Sequence, residues 1–163
     1  MGVHLSIYPP NLLDQPANRD NERDNLVIQS DTYAIHPIGV VRSELTDRRN
    51  APRQGNEGSP NAWLQISSEF IEAIDGLSTG AEILVFTWLH LADRATLKTH
   101  PRNNAANPLT GVFATRSPDR PNPIGMHKVT VFEINKKDGL KVGPLEAIDG
   151  TPVIDIKPVL RTE

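Results

Sequence analysis

Residues 100–126, HPRNNAANPLTGVFATRSPDRPNPIGM, are the part of this 163-residue chain best equipped for chemistry. They present Arg102, Arg116 and Arg120 on a segment stiffened by Pro101, Pro108, Pro118, Pro121 and Pro123. A guanidinium offers a planar fork of donors matched to a carboxylate or phosphate. Prolines lower the entropy lost when a loop is ordered, so they preorganise a binding surface. Across residues 94–128, six basic residues stand against Asp119 alone, a local excess of five positive charges in a chain of net charge -3. Two readings follow. The segment is an anion-binding rim, or it is a loop whose arginines bond to backbone carbonyls and to Asp119.

Other chemistries are excluded or unsupported. With no cysteine, the chain cannot build disulfides, Cys-ligated zinc, iron–sulfur clusters or a thiol nucleophile. No GxGxxG follows a strand, and no GxxxxGK[ST], HExxH or GxSxG occurs. The histidines at 4, 36, 90, 100 and 127 lack close metal-ligand spacing, so each is read as a surface or hydrogen-bonded histidine and no metal is expected. The longest apolar run, residues 83–92, is too short to cross a membrane, which takes about 20 residues. The first residues lack the pattern of a secretion signal, so a cytoplasmic location is expected.

These residues need elements to hold them. Residues 1–31 carry five acidic against two basic residues and no sustained periodicity, and are expected to be a poorly ordered acidic extension ahead of a domain over 32–163. Strands are expected at 33–42, bent at Pro37, and at 62–66, 111–115, 126–134, 140–147 and 153–157. Residues 82–90, EILVFTWLH, read as a strand buried on both faces. Residues 67–76 read as a short helix capped by Ser67 or Ser68, with Phe70, Ile71, Ile74 and Leu77 on one face and Gly76 ending it. Residues 135–139 form a hairpin turn. Short strands without alternating long helices favour a mainly β fold, an antiparallel sheet or barrel, over a doubly wound α/β fold.

The run GVFATRSPDRPNPIGM closely resembles the signature of the TsaA-like, or TrmO-like, family. The resemblance extends to IHPIGVVRSE at 35–44, APRQG at 51–55, GLSTGAEILVFTWLH at 76–90 and LEAIDGTPVIDIKP at 145–158. It implies a small antiparallel β-barrel with one or two short helices. It also implies S-adenosyl-L-methionine (SAM) as cofactor, held near the interface of a homodimer, and N6-methylation of threonylcarbamoyl-modified adenosine 37 in tRNA as the reaction. The alternatives are methylation of another RNA or a small molecule on the same fold, and a non-catalytic SAM-binding module.

Position by position, the resemblance implies cofactor contacts from Pro52, Arg53, Gln54, His90, Arg116, Met126, Leu145, Glu146 (Asp is more usual there), Asp149, Gly150 and Thr151. Arg53 or Arg116 would meet a carboxylate or phosphate. Glu146 or Asp149 would accept from ribose hydroxyls or the ammonium, and Met126 and Leu145 would pack on the adenine. Arg102, Arg120 and Asn122 are the expected substrate contacts. Methyl transfer is an in-line displacement that needs the reacting atoms about 3–3.5 Å apart. An amide-like N6 is a weak nucleophile that needs a base, for which His90 and Asp149 are the candidates. The family's Tyr after DIKP is replaced by Val159.

Overall fold

The computed structural model describes residues 34–160. The described elements belong to a compact unit, His36–Glu163. The expectation of a poorly ordered extension over 1–31 lies outside the described residues.

Six strands close into an antiparallel barrel in the order β1-β2-β7-β6-β3-β8. They are β1 (Gly39–Arg42), β2 (Ala62–Ile66), β3 (Glu82–Trp88), β6 (Ile124–Asn135), β7 (Gly139–Gly143) and β8 (Pro152–Pro158). The two-residue strands β4 (Lys98–Thr99) and β5 (Thr110–Gly111) form a separate small sheet. The fold is mainly β, as the strand count and the family resemblance both required.

Period-two alternation makes the barrel. Along β6 the inward positions Gly125, His127, Val129 and Val131 are buried while Ile124, Met126 and Lys128 are exposed. Val41, Leu64, Ile83, Leu140, Val142 and Val153 meet them in a core with no solvent access. Each such aliphatic side chain contributes roughly 1.5–3 kcal/mol. The hairpin at 136–138 closes as expected, with Asn135 opposite Gly139. Gly139 has φ +95°, and a Cβ there would run into the β2 backbone at Leu64, so only glycine fits.

Several elements differ from expectation. Residues 111–115 are not a strand. After Thr110–Gly111 the chain turns into a 3₁₀ segment, Val112–Ala114, because Val112 is drawn into a buried site and its N–H bonds Leu97 O at 3.0 Å. Of the strand expected over 33–42, the described residues form Gly39–Arg42, beyond Pro37. β3 ends at Trp88 and is buried chiefly on its barrel face, with Leu84 and Phe86 only half-buried outside. The helix at 67–76 is 3₁₀ over Ser68–Ile74, and Ser67 precedes it without a side-chain cap. Its apolar side does pack on the core through Phe70, Ile71, Ile74 and Leu77, and Gly76 at φ +92° terminates it. The strand expected over 140–147 stops at Gly143, ahead of Pro144. Among the described residues no helix is long and apolar enough to cross a membrane.

Candidate functional site

Strand direction puts three long loops at one end of the barrel. β1 ends where β2 begins (Arg42 opposite Trp63), and β2 begins where β7 ends (Ala62 opposite Val142). β3 ends where β6 begins (Trp88 opposite Ile124), and Thr87 of β3 lies opposite Val153, near the start of β8. Residues 43–61, 89–123 and 144–151 therefore leave from the same rim. They carry APRQG, RSPDRPNP and LEAIDGT, so distant stretches of sequence converge there.

Hydrogen bonds tie the loops together. The first loop meets the third through Leu145 N–H on Pro60 O (3.0 Å), Asp149 N–H on Leu45 O (2.7 Å) and Ser43 N–H on Asp149 Oδ1 (3.1 Å). The first meets the second through Arg102 with Glu57 (2.6 Å), Arg48 with Asp119, and Arg48 Nη1–H on Leu91 O (3.1 Å). Within the second loop, Arg120 donates to the carbonyls of Ser117, Val112 and Thr115 at 2.8, 3.0 and 2.7 Å.

Arg120, expected to contact substrate, is thus a brace for its own loop, with Nε and Nη2 both engaged by carbonyls. Replacing it with alanine strands three partly buried acceptors, a loss of about 2 kcal/mol. Urea unfolding should show that loss, with faster amide exchange over residues 112–117. Arg120→Lys should recover little of it, because an ammonium cannot reproduce the fork.

The most enclosed polar group at the rim is a chain of three side chains. His127 is only 6% exposed. Its Nε2 lies 2.9 Å from Thr87 Oγ1, and its Nδ1 lies 2.8 Å from Glu146 Oε1. Thr87 sits opposite Gly125 in the β3–β6 register. The missing side chain at 125 leaves the space through which the imidazole reaches Thr87. Burial pushes the Glu146 carboxyl up, but the His127 hydrogen bond and charge, aided by backbone bonding and Arg116, hold it below its ordinary value of 4.5. A Cβ built on Gly55, in the APRQG segment, would lie 3.3 Å from Glu146 Oε2. Glu146 therefore stands where all three loops and two strands meet, with Oε2 outside the His127 bond.

The other expected residues fall around this point in different states. Arg116 is exposed, donates to Met126 O at 3.1 Å and exerts its charge on Glu146. Arg53 and Gln54 are exposed, Pro52 is half-buried, and among the described residues no side-chain hydrogen bond or ion pair engages Arg53. Met126 is 43% exposed on the outer barrel face. Leu145 is enclosed in the core, so its side chain has no surface for an adenine to touch. Thr151 is buried, and Gly150, at φ +79°, turns the chain so that its N–H reaches Val41 O at 2.9 Å. Asp149 accepts from Ser43 and lies 3.9 Å from Arg42. His90 and Asn122 are exposed. No hydrogen bond joins His90 to Asp149, the two candidate bases.

Sequence reasoning missed Thr87 and the role of His127. The signal for His127 was its place in the Gly125, His127, Val129, Val131 alternation, which puts an imidazole on the core face, where it must find partners. Among the described residues no cluster of His, Asp or Glu could hold a metal ion. A surface groove of about 420 Å³ on the barrel wall, lined by Arg42, Trp63, Gln65 and Asp138, contains none of the expected site residues.

Residues 40–162 match the family model described as tRNA-methyltransferase O N-terminal domain. The chain is 45% identical over 124 residues to a probable S-adenosyl-L-methionine-binding protein of Methanothermobacter thermautotrophicus, covering 76% of this chain and 88% of that protein. It is 36% identical over 137 residues to the tRNA (adenine(37)-N6)-methyltransferase of Escherichia coli K12, covering 79% of this chain and 58% of that one. The crystal structure of TrmO from Pseudomonas aeruginosa superposes with a TM-score of 0.62 at 30% identity, covering 79% of this chain and 55% of that one. The chain thus spans little more than half the length of the last two.

Proposed function

We propose that this chain, which belongs to the tRNA-methyltransferase O N-terminal domain family, is a SAM-dependent methyltransferase that acts on N6 of threonylcarbamoyl-modified adenosine 37 of tRNA. The observation that carries the reading is the convergence of the three motif loops on a partly enclosed Glu146, held by His127 through Oε1, with the exposed Arg116 on the neighbouring loop. SAM ends in a carboxylate and an ammonium, and a carboxylate beside a guanidinium fits both charges. When bound, SAM supplies an activated methyl group.

The protein's share of the work is positional. Glu146 accepts from the ammonium or ribose hydroxyls, Arg116 meets the carboxylate, and the braced loops hold the acceptor adenosine in line. Asp149 or His90 takes the N6 proton; the exposed imidazole is the freer of the two, since Asp149 is already engaged by Ser43. We assign SAM binding to the barrel unit over 32–163 rather than to residues 1–31. The exposed Ile124, Met126 and Phe113 support a homodimer with SAM near its interface, and a cytoplasmic location suits a tRNA substrate. A second reading, SAM binding without this substrate, is favoured by relatives named only for SAM binding.

Labelled SAM incubated with total tRNA from a strain lacking this chain tests the reading. Label should enter N6-methyl-threonylcarbamoyladenosine. SAM binding without label in any RNA would favour the second reading. In this reading Arg53, exposed and without an ion pair among the described residues, meets a tRNA phosphate. Arg53→Ala should lower the salt slope of tRNA binding by about one unit and leave stability within about 0.5 kcal/mol.

A further inference from the structure

The chain Thr87–His127–Glu146 has an order that chemistry dictates. An ionised carboxylate can only accept hydrogen bonds, so the 2.8 Å contact at Glu146 Oε1 requires a proton on His127 Nδ1. Thr87 then completes the ring from the other side. Its hydroxyl donates to Nε2 when the imidazole is neutral, or accepts from it when the imidazole is charged. Thr87 is fully buried and His127 nearly so, so neither is a solvent-facing group that happens to lie nearby. Burying an imidazole, a hydroxyl and most of a carboxylate costs free energy unless each is satisfied, and here each satisfies the next. The glycine at 125 keeps the path clear, since a Cβ there would lie 2.6 Å from Nε2 and closer still to the threonine hydroxyl.

We infer that His127 is a positioning residue for the cofactor site: held by Thr87, it anchors Glu146 Oε1 and keeps Oε2 available to a hydrogen-bond donor of SAM. The inference rests on the SAM reading above and goes beyond it, because it gives a role to two buried residues, His127 and Thr87, that act through Glu146. Glu146 carries its charge among few charged neighbours: His127 from β6 and Arg116 from the loop before it. β3 presents Thr87 and the first loop presents Gly55, neither of which ionises. Without His127, burial acts on Glu146 less opposed, so the carboxyl protonates at higher pH.

Titration calorimetry of SAM over pH 4–8 on the full chain tests this. Relative to wild type, His127→Leu should weaken binding at neutral pH by about tenfold, the low end of the loss when the hydrogen-bond partner behind a metal ligand is removed. It should also move the acid limb of the affinity profile to higher pH. Thr87→Val should change both in the same direction by less, and His127→Gln, which keeps a donor, should fall between wild type and leucine. Variants that lose thermal stability but keep the wild-type affinity and acid limb would overturn the inference while leaving the SAM reading intact. A wild-type chain that binds no SAM would overturn both. If His127→Leu does not fold, long-range ¹H–¹⁵N spectra of the wild type decide. A proton on Nδ1 whose resonance moves on adding SAM supports the relay, and a neutral imidazole protonated at Nε2 overturns it.

Discussion

Glu146→Gln should weaken SAM binding by about 2 kcal/mol, or roughly thirtyfold, with a smaller loss of stability at neutral pH. The substitution is nearly isosteric. The amide keeps an oxygen to accept from His127, so the buried chain to Thr87 survives. What is lost is the negative charge and the acceptor at the second oxygen, the one not used by His127. A carboxylate accepting from a cation makes one of the stronger hydrogen bonds available to a protein. Calorimetry on the two proteins at neutral pH is the direct check, and equal affinities would remove Glu146 from the cofactor site.

The pH dependence follows from the same residue. Glu146 in the folded chain lies below its ordinary value of 4.5, because His127 and Arg116 outweigh burial. A depressed carboxyl contributes stability that is fully present above the unfolded value and is lost as pH falls through the folded one. The stability gap between wild type and Glu146→Gln should therefore be constant from neutral pH down to about 4.5, and should close below it.

The strands were legible because their signal is local. Alternation in VTVFEI placed β6, AWLQI read as the short strand that is β2, and KKDG marked the hairpin between β6 and β7. The failures were also local in origin. GVFAT has the composition of a strand, yet Val112 is claimed by a buried site and Arg120 pulls the carbonyls of Val112 and Thr115 inward. Composition also showed three arginines in the Pro-rich loop without showing what each one bonds. The structure puts Arg120 on backbone carbonyls and Arg102 on Glu57, and leaves Arg116 exposed beside Glu146. The second reading, a self-bonded loop, therefore describes Arg120, and the anion-binding role proposed for this segment falls to Arg116.

The Thr87–His127–Glu146 chain was illegible for another reason. Its members are 40 and 19 residues apart, and they meet only because β3 pairs with β6 and the segment after β7 folds back across the barrel end. No spacing rule spans such a closure. The burial pattern of β6 held the one clue, a histidine among valines.

Gly125→Ala should damage fold and site together. A methyl group at 125 would be driven against Thr87 Oγ1, His127 Nε2 at 2.6 Å and Leu89 Cδ2 at 3.2 Å. Position 125 is buried on the barrel face and lies in the β3–β6 ladder opposite Thr87, which restrains the backbone from retreating. Overpacking of this kind costs about 2 kcal/mol. The cheapest relief is for the imidazole to swing away, which breaks its bond to Thr87 and loosens Glu146. SAM affinity should fall alongside stability. Gly111→Ala is the control: it has nothing within 4 Å and no positive φ, so it should be nearly neutral. Steric origin is separable from backbone origin by a double-mutant cycle in urea. Thr87→Ala removes the hydroxyl that the new methyl strikes, so the pair should cost less than the sum of its single substitutions, with a coupling of about 1 kcal/mol. Additive costs would locate the damage in the strand backbone, and the argument that glycine is needed here to admit His127 would fail.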